Sequence, residues 1–398
     1  MRYAGRILAL LTLSIATILL ASCGQKQNCS GITFGGGAGA GGSSGGGLNA
    51  GGSSCGPGSN NGGGSGNASD LLFYRSTSGP NDTIATAQLT ATSLTTLPGV
   101  AVSVGQSVAE SIVIVNKKFL YLPAGNGVLG FSISHTTGAL TALAGSPFPA
   151  PSAITSLSAD PDANGGRFLF AAGFVSGNFM TFTIDPNSGA LALAGTPVSN
   201  PNFQVTSLVV DGTGNYLYGT AGSTSGAVFG YSIDQNSGAL SPIPGSPFSL
   251  GVGQIQVDPT GTFLLTVISG GNLIEVVPIE SGTGSLLLAS ATTFPTVNPV
   301  SSVVMHPSGN FVYTCGDKAP MEGFQFSAGV LTELAGSPFT SLSNLTGCQF
   351  DQSGTALFGI LLPAGEVGVR IVNPTTGDVL GGIPDLGVAT NQYFGVTN

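Results

Sequence analysis

The chain has 398 residues, of which 41% are apolar and 7% charged, with 64 glycines and 24 prolines. That apolar fraction supports a large core, and the glycine and proline content asks for many turns. Nine basic residues stand against 18 acidic ones, for a formal net charge of −9; the basic residues are scattered, with no cationic stripe to follow a phosphate backbone, which excludes nucleic acid as a partner.

Residues 1–22 read as a leader. Arg2 and Arg6 precede an apolar run from Ile7 to Leu20, about 14 residues and short for a bilayer span. The run ends in Leu20-Ala21-Ser22-Cys23, which resembles a bacterial lipobox. The resemblance implies that Cys23 is lipidated on its thiol, acylated with palmitate-type chains and made the new N-terminus, so that the membrane is a partner through this anchor. The alternative is an ordinary cleaved secretory signal with an incidental cysteine. Gly24 is not an Asp-type retention signal, which favours the outer membrane of a bacterial envelope, facing periplasm or exterior.

Residues 23–69 form a tether rich in Gly, Ser and Asn with almost nothing to bury. Such a segment is a flexible coil with a reach of about 35–40 Å for about 45 residues. Gly41-Gly42-Ser43-Ser44-Gly45 fits a nucleophile-elbow pattern, but no strand precedes it and no helix follows, so the match is one of chance. Cys29 and Cys55 lie in the tether, Cys315 and Cys348 beyond it. Cys348 occupies the place of Leu157, Leu208, Ile255 and Val303 in other repeats, which predicts a small buried apolar residue; a bridge to Cys315 stays open.

Residues 70–398 repeat one unit. Aligned turns begin at Asn116, Asp160, Asp211, Asp258, His306 and Asp351, at spacings of 44, 51, 47, 48 and 45. In Asp258-Pro259-Thr260-Gly261 the Asp accepts from backbone amides, Pro presets φ and Gly takes the left-handed position. An aromatic strand follows each turn, as in Phe119-Leu120-Tyr121 or Tyr216-Leu217-Tyr218. Then comes an alternating strand, Val228 to Ile233, a second turn such as Asp234-Gln235-Asn236-Ser237-Gly238, and a short fourth strand running to Gly245-Ser246-Pro247-Phe248. Four antiparallel strands per roughly 47 residues make a propeller blade. Residues 70–99 supply only three strands, and Asn391 to Thr397 reads as a lone first strand. Joining them completes a seventh blade and removes both free edges. The expected fold is all-β, a closed seven-bladed propeller, monomeric, with Ser111, Thr155, Thr206, Gly253, Ser301 and Thr346 lining its axis as small packing residues.

The aromatic second strand, the Asp-Pro-x-Gly turn and the Asp-x-x-Ser-Gly-x-Leu hairpin resemble the lactonase-like propellers, the family of bacterial 6-phosphogluconolactonase, carboxymuconate cyclases and YVTN-repeat proteins. The resemblance covers residues 70–398 and implies a site at the channel mouth.

Alternate connections fall on opposite faces of a blade. The Asp-rich turns share one face, where His135 and His306 are expected as solvent-exposed turn residues. The other face, the mouth, carries Arg75, Asp82, Asp317, Lys318, Glu322 and Glu366. Glu110 joins them, opening its first strand where other blades have Ile154, Val205, Val252, Val300 and Leu345. A carboxylate in such an apolar ring is a candidate for a raised-pKa acid or base. No metal-ligand spacing or cofactor motif is present, and the family's His and Arg set has no match at this mouth. The sequence therefore points to an envelope-anchored propeller that binds a neutral small molecule, glycan or protein. The enzymatic alternative is a lactonase using Glu110 or Glu322 as base and Arg75 at the oxyanion.

Overall fold

A computed structural model describes residues 20–21, 70–76, 82–90, 93–104, 111–173, 177–200, 204–221, 226–250, 253–267, 271–316, 320–343, 345–361, 365–386 and 394–397. Seven four-stranded antiparallel sheets follow one another. Blade 2 is Val113–Val115, Phe119–Pro123, Gly127–Ile133 and Leu140–Ala142; blade 3 is Ser156–Ala159, Phe168–Ala172, Asn178–Ile184 and Leu191–Ser199. Blade 4 is Val205–Val210, Tyr216–Ala221, Ala227–Ile233 and Leu240–Pro242; blade 5 is Ile255–Val257, Phe263–Val267, Leu273–Pro278 and Thr292–Pro295. Blade 6 is Ser302–Met305, Phe311–Cys315, Gly323–Ser327 and Val330–Glu333; blade 7 is Leu345–Phe350, Ala356–Leu361, Glu366–Val372 and Val379–Leu386.

Blade 1 draws on both ends of the repeat region. Its inner strand is Phe394–Thr397, paired with Asp70–Ser76 through Leu71↔Thr397, Leu72↔Val396, Phe73↔Gly395 and Tyr74↔Phe394. Thr83–Leu89 and Leu94–Thr96 complete it. The ring closes as the repeat pattern predicts, and Leu20–Ala21 lie parallel to Val396–Thr397 at its inner edge. The remainder of the leader and the tether, Cys23 included, lie outside the described residues.

Blades stack through apolar side chains and one recurrent polar contact. At each of six successive interfaces a hydroxyl of one blade donates to the carbonyl of the glycine in the next blade's third-to-fourth-strand turn. The pairs are Thr86 to Gly138, Tyr121 to Gly189, Thr181 to Gly238, Tyr218 to Gly284, Thr292 to Gly329 and Tyr313 to Gly377. The residue types alternate for a steric reason. In blades 2, 4 and 6 the Tyr faces a glycine on the third strand, Gly130, Gly230 or Gly323, and reaches past it. Phe148, Phe248 and Phe339 fill the space left there, so that a Cβ on Gly130 would come within 2.9 Å of the Phe148 ring. In blades 1 and 3 the third strand carries Thr86 and Thr181, which make the contact themselves, and the second strand carries Phe73 and Phe170 opposite them. Each buried hydroxyl-to-carbonyl bond contributes about 1 kcal/mol. The accepting turns must be glycine: at Gly284 (φ +73°) a Cβ would meet the Tyr216 ring at 2.4 Å.

The Asp turns are more enclosed than their sequence suggests. Asp160, Asp211, Asp258 and Asp351 are buried, and the carboxylate of Asp258 accepts from the amides of Thr260, Thr262 and Phe263 at 3.1, 2.7 and 2.6 Å. By contrast Asp185 and Asp234 sit in exposed hairpins. The amide and hydroxyl of Ser188, then the amide of Asn187, hold Asp185 below the usual carboxylate range; the hydroxyl and amide of Ser237 do the same for Asp234.

His135 is exposed, as expected for a turn residue. His306 is not: it is 2% exposed, because its turn packs against the corresponding turn of blade 7. Its Nε2 donates to Gly354 O at 3.0 Å and its Nδ1 accepts from the Ser308 amide at 3.1 Å. The ring meets Phe311 and Phe350 edge-on. Burial lowers its proton affinity below the ordinary 6.5, against the opposing pull of the Gly354 bond and the Asp351 charge. The unfolded chain then takes up the proton more readily, so the stability contributed by neutral His306 is full above pH 6.5 and is lost as the pH falls towards the depressed folded value. The melting temperature should therefore fall between pH 7 and pH 5, and His306→Asp, which restores the turn residue of blades 5 and 7, should remove part of that fall. Thermal melts of both proteins across this range test it; an identical fall in both would contradict it.

Candidate functional site

The mouth is built from the second-to-third-strand loops and the connectors between blades. Arg75, near the end of its strand in blade 1, is held by Asp82 across its own hairpin at 2.8 Å, with both side chains largely withdrawn from solvent. Glu366 opens the third strand of blade 7, half-buried and opposite Leu361. Glu322 precedes the third strand of blade 6. These residues therefore occupy three consecutive blades, 6, 7 and 1, on one face. Glu110, Asp317 and Lys318 lie outside the described residues.

Glu322 is buried to 1% exposure. Its amide donates to Thr314 Oγ1 at 3.1 Å. Both carboxylate oxygens accept from the Val297 amide, at 3.0 and 3.1 Å, and one also accepts from Asn298 at 3.4 Å. The side chain thus pins the connector that leads from blade 5 to blade 6. Burial raises its pKa, the backbone bonds oppose that, and the charge of Glu333 adds to the rise. A carboxyl shifted this way suits proton transfer nearer neutrality, although acting as a base would require it to loosen the connector it holds.

Strand register shows a second such group that sequence reasoning missed. Glu275 lies opposite Thr266, the fourth residue of its second strand, as Glu322 lies opposite Thr314, the fourth residue of the next blade's. The same position holds Ala85, Leu129, Met180, Phe229 and Gly368 in the other blades. Glu275 is half-buried and its pKa is raised by desolvation alone. In the sequence it reads as the solvent-facing residue of an alternating strand; only alignment on the two threonines would have exposed it.

Hydroxyls at the inner strands are mostly spent on the backbone. Thr155, Thr206 and Ser301 donate to the carbonyls that end the neighbouring second strands, Ala172 at 3.4 Å, Thr220 at 3.4 Å and Cys315 at 2.9 Å. The pairing register shifts the expected ring by one residue in blades 3 to 6, from Thr155, Thr206, Gly253 and Ser301 to Ser156, Ser207, Gln254 and Ser302, level with the unchanged Ser111 of blade 2, all buried. Among the described residues no three His, Cys, Asp or Glu side chains gather as a metal site would need.

Cys315 and Cys348 form a disulfide. It ties the end of the second strand of blade 6 to the first strand of blade 7, beside the excursion that leads to Glu322. Cys348 is buried as its apolar counterparts are, and its partner comes from the neighbouring blade.

Neither a protein-family model nor a curated protein matches the sequence. Solved structures do match in three dimensions. A candidate 6-phosphogluconolactonase of Bacteroides fragilis superposes with a TM-score of 0.65 at 16% identity, covering 83% of this chain and 99% of its own. The corresponding Bacteroides uniformis protein gives 0.63 at 15%, with 82% and 99% covered. The periplasmic gluconolactonase of Pseudomonas aeruginosa gives 0.60 at 16%, with 83% and 99% covered. The fold is that of the lactonase-like seven-bladed β-propellers. In this lactonase-like propeller the disulfide is a cross-blade staple on the mouth side. Closing a loop of 33 residues is worth about 4 kcal/mol on the chain-entropy model. Replacing both cysteines by alanine should lower the melting temperature by roughly 5 °C for a ring of this size; an unchanged melt would show that the bridge constrains nothing.

Proposed function

We propose that the protein is a lipid-anchored envelope propeller that binds a neutral ligand, a glycan or a partner protein through its mouth-side loops. The observation that supports this reading is where the mouth's charges go. Arg75 is held by Asp82 and Glu322 by its connector, so two of the charges the sequence places there are already matched within the fold. The Cys315–Cys348 bridge suits an oxidising compartment, in keeping with the leader, Cys23 and a tether long enough to hold the ring clear of a membrane.

A second reading, hydrolysis of a sugar lactone, is favoured by the periplasmic gluconolactonase and candidate 6-phosphogluconolactonases among the similar structures and by the raised pKa of Glu322. Glu110 or Glu322 would act as base and Arg75 would steady the oxyanion. A phosphorylated lactone is a poorer fit, because its recognition calls for several cationic groups and the sequence places only Arg75 and Lys318 at the mouth.

A glycan-array assay paired with a hydrolysis assay on glucono-δ-lactone separates the two. The binding reading expects saturable capture of a neutral glycan with lactone decay no faster than in buffer. Rapid hydrolysis that drops about 100-fold in Glu110→Gln or Glu322→Gln, the scale of a lost general base, would establish the lactonase instead. In the cell, Cys23→Ser should move the protein from the membrane to the soluble fraction; retention in the membrane would remove the anchor from the account.

A further inference from the structure

The inner strands of the ring are not equally satisfied. In blade 2, Ser111 Oγ bonds both the amide and the carbonyl of Leu157 in blade 3, at 3.3 Å each. In blade 3, Ser158 Oγ accepts from the Val210 amide of blade 4 at 3.1 Å. Ser158 lies two residues further along its strand than the position of Ser111, and in blades 5, 6 and 7 buried polar atoms of the first strands lack such partners. Gln254 is 3% exposed and Ser302 4% exposed, yet neither Gln254 Oε1 nor Ser302 Oγ has a hydrogen-bond partner within the protein, and the buried Oε1 of Gln349 has none either. Among the described residues, no side-chain atom of blades 2–4 shares that condition.

The register places Gln254 and Ser302 at the same height, at the mouth end of the first strands of neighbouring blades. Among the described residues of blades 2 to 6, Gln254 is the one long side chain at a position held elsewhere by Ser111, Ser156, Ser207 and Ser302. A buried acceptor without a donor is destabilising, and a carboxamide brought into a ring of serines presents both an acceptor and two donors. No charged residue lies on the described first strands of blades 5–7, so nothing there selects for an ion.

From this we infer that the mouth end of the inner strands of blades 5 and 6 binds a neutral molecule carrying adjacent hydroxyl groups, with Gln254 as the specificity-determining contact. One ligand hydroxyl donates to the Gln254 carboxamide and its neighbour exchanges a hydrogen bond with Ser302 Oγ. The inference rests on the reading of the mouth as a surface for neutral ligands, and it names the chemistry that surface selects.

The test uses the full chain in detergent, titrated with D-glucitol and D-glucose, with D-gluconate as the anionic comparison. Binding is followed by calorimetry and the ligand-free melting temperature is recorded for each variant. The neutral polyols should bind better than gluconate. Gln254→Leu should weaken them at least tenfold and, because it removes an unmatched buried acceptor, should raise the ligand-free melting temperature. Ser156→Ala, at the equivalent position in blade 3, should leave affinity unchanged.

Equal affinity in Gln254→Leu overturns the inference. A lower ligand-free melting temperature in that variant also overturns it, since the carboxamide would then be satisfied within the fold by ordered water. A glycan or protein that binds the mouth with no dependence on Gln254 defeats this inference and leaves the broader binding reading standing. Failure of wild type to bind either polyol defeats it too, and restricts the mouth to larger partners.

Discussion

The ladder between Leu71–Tyr74 and Phe394–Thr397 is the contact on which the rest of the molecule depends. A single four-stranded blade has two apolar faces and cannot cover either alone, so each must find a neighbour on both sides. Blades 2 to 7 can stack in sequence, but a linear stack would leave the outer faces of its first and last members in water. Pairing the last strand with the second strand of blade 1 turns the stack into a ring. Every buried tyrosine and phenylalanine of the second strands then lies between two sheets. The hydroxyl-to-glycine contacts add direction to this packing. One hydroxyl at each of six interfaces, supplied by Tyr facing Gly in blades 2, 4 and 6, by Thr facing Phe in blades 1 and 3, and by the fourth-strand Thr292 in blade 5, links each blade to the next.

Much of this was legible in the sequence because it is local. Period-two alternation marks the strands, and Asp-Pro-Thr-Gly and Asp-x-x-Ser-Gly mark the turns; the missing strand at one end and the surplus strand at the other predict closure. What could not be read was contact between blades. His306 stands where other repeats have a turn Asp and looked exposed, but its turn is roofed by Gly354 of blade 7. Cys315 and Cys348 are 33 residues apart in different blades, and only the stacking of the second strand of one on the first strand of the next brings them together. Glu275 was not singled out in the sequence, and only the register sets it level with Glu322.

The candidate site was legible in part for the same reason. Composition placed few charges at the mouth, and Arg75, Glu322 and Glu366 do fall on one sector of it. Their surroundings were not visible in the sequence: a carboxylate that appears free in a loop-rich stretch is, in the ring, tied to two amides of the preceding connector. The same sector, blades 5 to 7, holds Glu275 and Glu322, both with a pKa raised by burial, the disulfide and the inner-strand polar atoms without protein partners; burial also raises the pKa of Asp162, in the turn of blade 3. In blades 2 and 3, Ser111 and Ser158 reach across to the backbone of the next blade. The ring is thus regular in architecture and uneven in chemistry.

The closure of the ring is tested most directly by amide hydrogen exchange on the intact protein, read at the peptide that contains residues 394–397. If these residues are the inner strand of blade 1, their amides should exchange as slowly as those of Phe119–Pro123 in blade 2, through opening of the whole ring. Exchange within seconds at this peptide, with the other blades still protected, would mean that the ends are not joined and that the seven-bladed account is wrong.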